Sequence, residues 1–251
     1  MLATGVYEGS FKVTQSISLK GERGATLDAL RQGSALIIEA PQVSIEGLNI
    51  RHWGRDLYYR DAAILLKKGA DHVQIKGNRL VGDGFGIYGE QLNSPTITDN
   101  SISGNGAIYV LDRGDGIYLK HVNSPQIDRN QLIFVRDGVY LESVTHSRIY
   151  ENQFTKLQYG IHYMYTQADE AWQNQAIAVD GGYALMNSTH IYLHHNRVTQ
   201  ARDFGILLNI TEAYQVQANV ASQIHNPKGT VELGNEGKGI FIYAAQHNRI
   251  Q

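Results

Sequence analysis

Apolar and polar side chains alternate in short runs along most of this chain, and the runs recur at a nearly constant distance. From Ile149 to Phe154, for example, apolar positions alternate with polar ones, as in a strand with one buried face. A second short strand follows a glycine in each unit, as in the Gly-Val-Tyr-Leu run at 138–141. Because units of about 22 residues are too short for a strand and a helix each, the pattern predicts two or three strands per unit.

An asparagine marks each unit, and a glycine follows it. Successive asparagines are separated by 22, 30, 22, 22, 22 and 23 positions. Where the spacing rises to 30, the distance from the asparagine to its glycine rises from 8 to 16, so the excess is predicted to form a loop. The asparagines are Asn78, Asn100, Asn130, Asn152, Asn174, Asn196 and Asn219, and the glycines are Gly86, Gly116, Gly138, Gly160, Gly182, Gly205 and Gly239.

This period predicts an all-β fold, a right-handed parallel β-helix with coils of about 22 residues, formed by residues 1–251 as a single domain. The asparagines are interpreted as a structural ladder, in which each amide bonds to the same amide in the neighbouring coils. Asparagine also tolerates the left-handed backbone expected at a corner. The chain begins without a signal-peptide pattern and stops at the start of another coil, so we expect the natural protein to have a leader and further C-terminal coils.

Two columns of side chains are predicted to point outward from the strand that follows the glycine. The second position after the glycine is mostly aromatic or aliphatic, and the fourth changes from charged residues to methionine. A contiguous exposed apolar stripe is typical of a binding surface. We predict partner binding at the aromatic members Tyr88, Tyr118, Tyr140, Phe241 and Tyr243. The second-position column is Tyr88, Tyr118, Tyr140, His162, Ala184, Leu207 and Phe241. The fourth-position column is Glu90, Lys120, Glu142, Met164, Met186, Asn209 and Tyr243.

Three residues of these columns form a candidate metal site. His162 and Met164 lie two positions apart on one strand, and Met186 follows Met164 by one period of 22 residues. An imidazole with two thioethers and no cysteine is a donor set suited to Cu(I) rather than to zinc or calcium. The alternative interpretation is that Met164 and Met186 are padding in a hydrophobic docking patch.

Other candidates have simpler interpretations. His194 and His195 are expected to face opposite ways, which disfavours a metal-binding pair. Asp115 and Asp137 precede column glycines, where aspartate usually bonds to the backbone of its turn. An inserted loop is predicted at 54–61, and the basic residues around it are interpreted as solvated or as a docking site. These basic residues are Arg51, Arg55, Arg60, Lys67 and Lys68.

Composition excludes several classes of function. The net charge of −2, from 22 basic and 24 acidic residues, gives no general attraction for nucleic acid. Cysteine is absent, so neither disulfides nor thiolate metal ligands are present. The sequence also has no apolar segment long enough to cross a bilayer and no phosphate-binding glycine loop.

Several runs resemble the NosD family. They include Arg-Asp-Gly-Val-Tyr-Leu at 136–141 and, more distinctively, Tyr-Gly-Ile-His-Tyr-Met-Tyr at 159–165, followed one coil later by Gly-Tyr-Ala-Leu-Met at 182–186. The resemblance covers the chain from about Gly5 to its end. Further runs that carry it are 54–57, 114–119, 203–209 and 237–243.

The resemblance implies a periplasmic accessory protein for copper-site maturation of nitrous oxide reductase, and not an enzyme. Such a protein is peripheral to the membrane and acts with the membrane subunit of an ABC transporter and with a copper chaperone, as a copper carrier or as a docking scaffold. The histidine and methionine signatures of the family fall on His162, Met164 and Met186. The alternative is a carbohydrate-active enzyme of the polysaccharide lyase or epimerase type, because many such enzymes are β-helices and the tyrosine column could stack sugars.

Overall fold

The alternating runs form thirty short strands in the computed structural model, which describes residues 1–225 and 237–251. The strands form three parallel sheets of ten, and the chain visits the sheets in turn, so that strands three apart in the sequence pair with each other. The predicted all-β parallel β-helix is confirmed. Between described strands, one 3-10 turn at Val110–Asp112 is the single helical element.

The strand boundaries follow this three-sheet plan. Sheet 1 consists of Gly5–Glu8, Ala25–Asp28, Asn49–Arg51, Arg79–Val81, Ser101–Ser103, Gln131–Ile133, Gln153–Thr155, Gln175–Ile177, Arg197–Thr199 and Val220–Ser222. Sheet 2 consists of Phe11–Val13, Leu36–Ile38, Ala62–Leu66, Phe85–Glu90, Ile117–Lys120, Val139–Glu142, Tyr159–Met164, Gly181–Met186, Phe204–Asn209 and Lys238–Tyr243. Sheet 3 consists of Ser18–Lys20, Ser44–Glu46, Gln74–Lys76, Thr96–Thr98, Gln126–Asp128, Arg148–Tyr150, Glu170–Trp172, Tyr192–His194, Gln215–Gln217 and Arg249–Ile250.

The register between coils follows the 22-residue period. In sheet 2, Val139 pairs with Ile161, and Ile161 pairs with Tyr183. These inward positions are fully buried and form one continuous core along the solenoid. Because each coil buries its apolar face only against its neighbours, stacking provides most of the hydrophobic stabilisation.

The seven asparagines lie in one buried column at the corner between sheets 3 and 1. The Oδ1 atom of Asn152 accepts hydrogen bonds from the backbone N and the Nδ2 of Asn130, both at 3.0 Å. The Nδ2 of Asn152 donates to Oδ1 of Asn174 at 3.0 Å and to backbone carbonyls. Equivalent bonds connect the whole series from Asn78 to Asn219.

The prediction that these asparagines adopt a left-handed backbone is wrong. The left-handed residue is the one before each asparagine, for example Glu151 with a φ of 56° and Gln173 with a φ of 54°. The asparagine is therefore required for its amide, which satisfies buried backbone groups at the corner, and its neighbour makes the turn.

The glycines of the column allow a close approach between coils. A Cβ atom on Gly138 would lie 2.3 Å from the ring of Phe154 and 2.6 Å from the carbonyl oxygen of Gly160. Gly138 is therefore required for this close packing and not for a left-handed backbone, since its φ is not positive.

The insertions lie at the corner between sheets 1 and 2. Residues 52–61 and 104–116 connect strands of these two sheets and extend over the outer surface. Asn219 and Gly239 lie 20 positions apart, where most coils have 8, so the sequence predicts an insertion there as well. Part of it falls on residues 226–236, outside the described residues. In the described part of the chain, no helix has the length and apolar character needed to cross a membrane.

Candidate functional site

The outer face of sheet 2 brings the two predicted columns into straight rows. Tyr118 pairs with Tyr140, Tyr140 with His162, and His162 with Ala184 on successive strands. The neighbouring row places Met164 directly beside Met186, between Glu142 and Asn209. The rows continue as expected to Tyr88 and Glu90 at one end and to Phe241 and Tyr243 at the other.

The prediction that the second-position column, the first row, is exposed along its whole length is wrong. Tyr88, Ala184 and Leu207 are only 3%, 0% and 5% exposed. Leu57 from the loop at 52–61 packs on the cluster around Tyr88, and Phe204 packs with Ala184 and Leu207. Side chains from outside the row therefore cover Tyr88, Ala184 and Leu207. Both rows otherwise stay at least partly exposed, and in the first row the partly exposed members are Tyr118, Tyr140, His162 and Phe241.

An aromatic stack runs along the first row and ends at His162. The ring centroids of Tyr118 and Tyr140 are 4.7 Å apart, and those of Tyr140 and His162 are 4.5 Å apart, in stacked orientations. Tyr159 meets His162 edge-on at 5.3 Å. Tyr118 also donates a short hydrogen bond to Glu142. These contacts hold the imidazole ring in one orientation.

A buried carboxylate fixes one nitrogen of this imidazole. Nδ1 of His162 lies 2.9 Å from Oδ2 of Asp137, whose other oxygen accepts the backbone N–H of Tyr159 at 3.2 Å. Nε2 of His162 is buried and has no hydrogen-bond partner. In protein metal sites, the non-ligating nitrogen of histidine is commonly held in this way by a carboxylate. Asp137 was interpreted as a backbone-binding residue; it does bind the backbone, but it also orients His162.

The two methionines complete the soft donor set on neighbouring strands. Met164 and Met186 are directly paired in register and are partly exposed. Nδ2 of Asn187 lies 3.7 Å from the sulfur of Met164. The strand of His162 and Met164 and the next strand, with Met186, thus carry one buried imidazole nitrogen without a partner and two thioethers, which are donor types that Cu(I) prefers. Among the described residues, no group of three or more His, Asp or Glu side chains could hold a metal ion.

The histidine pair at 194 and 195 departs from expectation. Its two Nδ1 atoms lie 2.9 Å apart, because His195 adopts a left-handed conformation at the corner and turns back toward His194. His194 also contacts Glu170 at 3.1 Å and stacks on Tyr192 and Trp172. The pair belongs to a stack on sheet 3, away from the methionines.

A second polar region was not found from the sequence. The loop at 104–116 and the corner between sheets 1 and 2 enclose a cleft of about 860 Å³, lined by residues that include Arg113, Lys156, Asp180 and Arg202. Burial raises the pKa of Asp180 to about 6, although Arg202 lies 3.2 Å from its carboxylate. The cleft depends on a non-periodic loop, which the repeat pattern does not describe.

Comparison with known proteins agrees with the resemblance seen in the sequence. Residues 99–251 match the family model described as "Periplasmic copper-binding protein (NosD)". The whole chain is 36% identical to two curated proteins, both named "Probable ABC transporter binding protein NosD", from Stutzerimonas stutzeri and Pseudomonas aeruginosa. It covers 58% and 59% of these proteins, so it spans less than two thirds of their length.

Solved structures share the fold at low sequence identity. A tailspike protein of Escherichia coli O157:H7 bacteriophage CAB120 has a TM-score of 0.74 at 10% identity, with 97% of this chain and 38% of the tailspike covered. A family 28 exopolygalacturonase of Yersinia enterocolitica has a TM-score of 0.67 at 10% identity, with coverage of 99% and 72%. These likenesses establish the architecture alone. The family match over residues 99–251, supported by 36% identity to two relatives along the whole of this chain, shows that the chain belongs to the NosD family.

Proposed function

We propose that this chain is the β-helix part of a periplasmic protein that handles copper for the maturation of nitrous oxide reductase, with Cu(I) held by His162, Met164 and Met186. The observation that carries the proposal is the buried Nε2 atom of His162, which has no hydrogen-bond partner while Nδ1 is fixed by Asp137 at 2.9 Å. The family description as periplasmic copper-binding protein supports the choice of metal and compartment.

The geometry favours transfer of the metal over permanent storage. His162 is rigidly held, with its side chain 13% exposed, whereas Met164 and Met186 are partly exposed at the surface. Flexible thioethers can rearrange at low cost. A bound copper ion supplies no chemistry of its own here and is cargo. The two methionines would be the first ligands that an incoming or departing partner reaches.

The partners follow from the names of relatives and from the exposed edge of the site. The relatives are named as ABC transporter binding proteins, which supports an association with the membrane subunit of such a transporter. A copper chaperone would deliver the ion, and nitrous oxide reductase would receive it. Tyr243, which is 61% exposed, and the partly exposed Tyr118, Tyr140 and Phe241 are the proposed contact residues on this face.

An anaerobic titration with Cu(I) against a competing chelator tests the metal site. The intact chain is expected to bind one equivalent, and His162→Ala/Met164→Ala/Met186→Ala is expected to lose it. His146→Ala/Met1→Ala is a control that removes an imidazole and a thioether elsewhere. Equal binding by the triple variant would contradict the site. Absence of binding in every form would leave a docking scaffold, tested by pull-down with the chaperone and the reductase.

The cleft around Asp180 gives the enzyme alternative one specific argument. A carboxyl group with a raised pKa beside Arg113, Lys156 and Arg202 is suited to a polymer of sugar acids. Incubation of the chain with polyuronates, followed by detection of new reducing or unsaturated ends, tests this alternative. Turnover that Asp180→Asn abolishes would replace the copper proposal.

A further inference from the structure

The loop at residues 52–61, here called the tyrosine loop, carries a combination of side chains that the copper site does not use. Its tip presents Tyr58 and Tyr59, whose side chains are 85% and 74% exposed. The two rings contact each other edge-to-face with their centroids 5.1 Å apart. Exposing two neighbouring aromatic rings is costly in water and is typical of a contact surface.

The tyrosine loop is held in shape from within. Oδ1 of Asp56 accepts the backbone N–H groups of Tyr58 and Tyr59 at 2.9 and 3.0 Å. Oδ2 of Asp61 accepts the backbone N–H of Asp56 at 3.0 Å. The backbone of Gly54 also donates to the carbonyl of Gly33 at 2.8 Å, which ties the loop to the preceding coil. The tyrosines are therefore displayed by a preorganised loop.

Cationic side chains surround the tyrosines. A cleft of about 460 Å³ lies beside the loop and is lined by Tyr58, Tyr59, Arg60, Lys67 and Lys68, among others. Arg60 is paired with Glu90 at 2.8 Å. In the described part of the chain, neither Lys67 nor Lys68 forms an ion pair with an acidic side chain. Both lysines are thus available to an external anion.

The acidic side chains nearby are already engaged. Asp56 and Asp61 bind backbone N–H groups of the loop, and Glu90 binds Arg60. The four cations Arg55, Arg60, Lys67 and Lys68 outnumber the three carboxylates of Asp56, Asp61 and Glu90 by one, so the net charge around the tyrosine tip is positive, although the whole chain has a net charge of −2. Tyrosine rings favour the headgroup level of a bilayer, and lysines near its surface are attracted to anionic lipids.

We infer that the tyrosine loop is a contact site for an anionic phospholipid membrane. Tyr58 and Tyr59 lie among the headgroups, and Lys67 and Lys68 bind lipid phosphates at the mouth of the cleft. A rigid protruding tip with a cationic border fits the surface of a bilayer. The attachment is weak, reversible and sensitive to salt, because the two lysines supply most of the attraction.

Vesicle flotation with the full chain tests this site. We expect flotation with vesicles of phosphatidylcholine and phosphatidylglycerol at low ionic strength, and none with phosphatidylcholine alone. Lys67→Gln/Lys68→Gln should weaken binding about 30-fold, which is the loss expected when two lysines are removed from an anionic surface. Tyr58→Ser/Tyr59→Ser should weaken it about 10-fold or more, because the rings then no longer enter the interface.

Matched variants separate this site from general attraction. Lys20→Gln/Lys76→Gln changes the charge equally on sheet 3, and Tyr109→Ser removes a tyrosine that is 66% exposed on another loop. Both controls should bind vesicles as the unaltered chain does. Absence of flotation, or equal losses in the controls, would overturn the inference. Binding to immobilised polyglutamate but not to vesicles would overturn it in favour of an acidic protein partner.

Discussion

His162 shows how a single side chain is prepared for a ligand by residues distant in the sequence. Asp137 lies 25 positions earlier, yet it contacts Nδ1 at 2.9 Å because the coil brings it one layer below. Tyr140 stacks on the ring from the same layer. In the proposed copper site, Nε2 of His162 would therefore be positioned before the metal arrives, which would lower the entropic cost of binding it.

Removal of the orienting carboxylate should weaken copper binding. Asp137→Asn is expected to reduce the Cu(I) affinity about 10-fold or more, since loss of an outer-shell partner of a histidine ligand usually costs that much. The competition titration used for the triple variant measures it. Asp128→Asn is the matched control, because Asp128 is equally buried but lies on sheet 3 and pairs with Arg129. Equal affinity of Asp137→Asn and the unaltered chain would contradict an orienting role.

The buried carboxyl of Asp169 is expected to make the free energy of unfolding depend on pH. Its carboxyl is buried, accepts the backbone N–H of Ser147 at 2.6 Å, and has a pKa raised by burial to about 7. The folded chain therefore keeps a proton that the unfolded chain releases above about pH 4, so the free energy of unfolding falls as the pH rises from about 4 to about 7 and levels off above that.

Replacement of this carboxyl should remove its contribution. The free energy of unfolding of Asp169→Asn, relative to the unaltered chain, should increase between pH 5 and pH 8 by on the order of 3 kcal/mol. Urea denaturation at several pH values measures the difference. Asp112→Asn, on an exposed turn, should show no such trend. A pH-independent difference for Asp169→Asn would refute the assignment.

At the scale of elements, the asparagine column and the sheets depend on one another. Each amide satisfies backbone groups in its own coil and in the neighbouring one, so it specifies the register with which strands stack. The parallel strands are only two to six residues long, and each would be marginal without this repeated polar contact and the core beneath it.

Loss of one ladder amide should therefore be costly. Asn152→Ala removes the acceptor of two donors from Asn130 and the donor to Asn174, and it leaves several buried groups without partners. We expect destabilisation of about 3 kcal/mol, based on the usual penalty for such groups. Urea denaturation checks this value. The exposed Asn123→Ala, outside the ladder, should change stability by less than about 0.5 kcal/mol.

At the scale of the whole molecule, the solenoid is a series of equivalent layers interrupted by loops on one corner. The layers carry the rows of sheet 2, while the loops cover parts of these rows and form the clefts. Since each coil contacts mainly its neighbours, a coil can be removed if the register of the remaining coils is kept.

Deletion of residues 131–152 tests this modularity. Gln153 would then pair with the strand that now pairs with Gln131, and Asp115 and Tyr118 would take the places of Asp137 and Tyr140 beside His162. We expect a folded chain with a β-sheet circular dichroism spectrum and with copper binding retained. Deletion of 131–141 breaks the period and should prevent folding. Unfolding of the first variant would show that the coils are not equivalent.

The sequence alone was sufficient for the fold and for the rows of the candidate site. A period of 22 residues determines which side chains stack, because parallel register repeats one coil after another. It therefore placed Met164 beside Met186 and aligned the asparagines. It also assigned a left-handed backbone to the wrong residue of the corner, since Glu151 and its equivalents make that turn.

The tertiary structure decided which of these side chains are accessible and what holds them. Tyr88 is buried because the loop at 52–61 folds across its row, a contact that follows no period. Leu207 is buried against Phe204, which lies on the same strand. The contact of Asp137 with His162 joins different positions of successive coils, and the pKa of Asp180 depends on its burial beside the loop at 104–116. Stacking is encoded by the repeat itself, whereas burial and electrostatics depend on which side chains stand at neighbouring positions of adjacent coils and on loops that do not repeat.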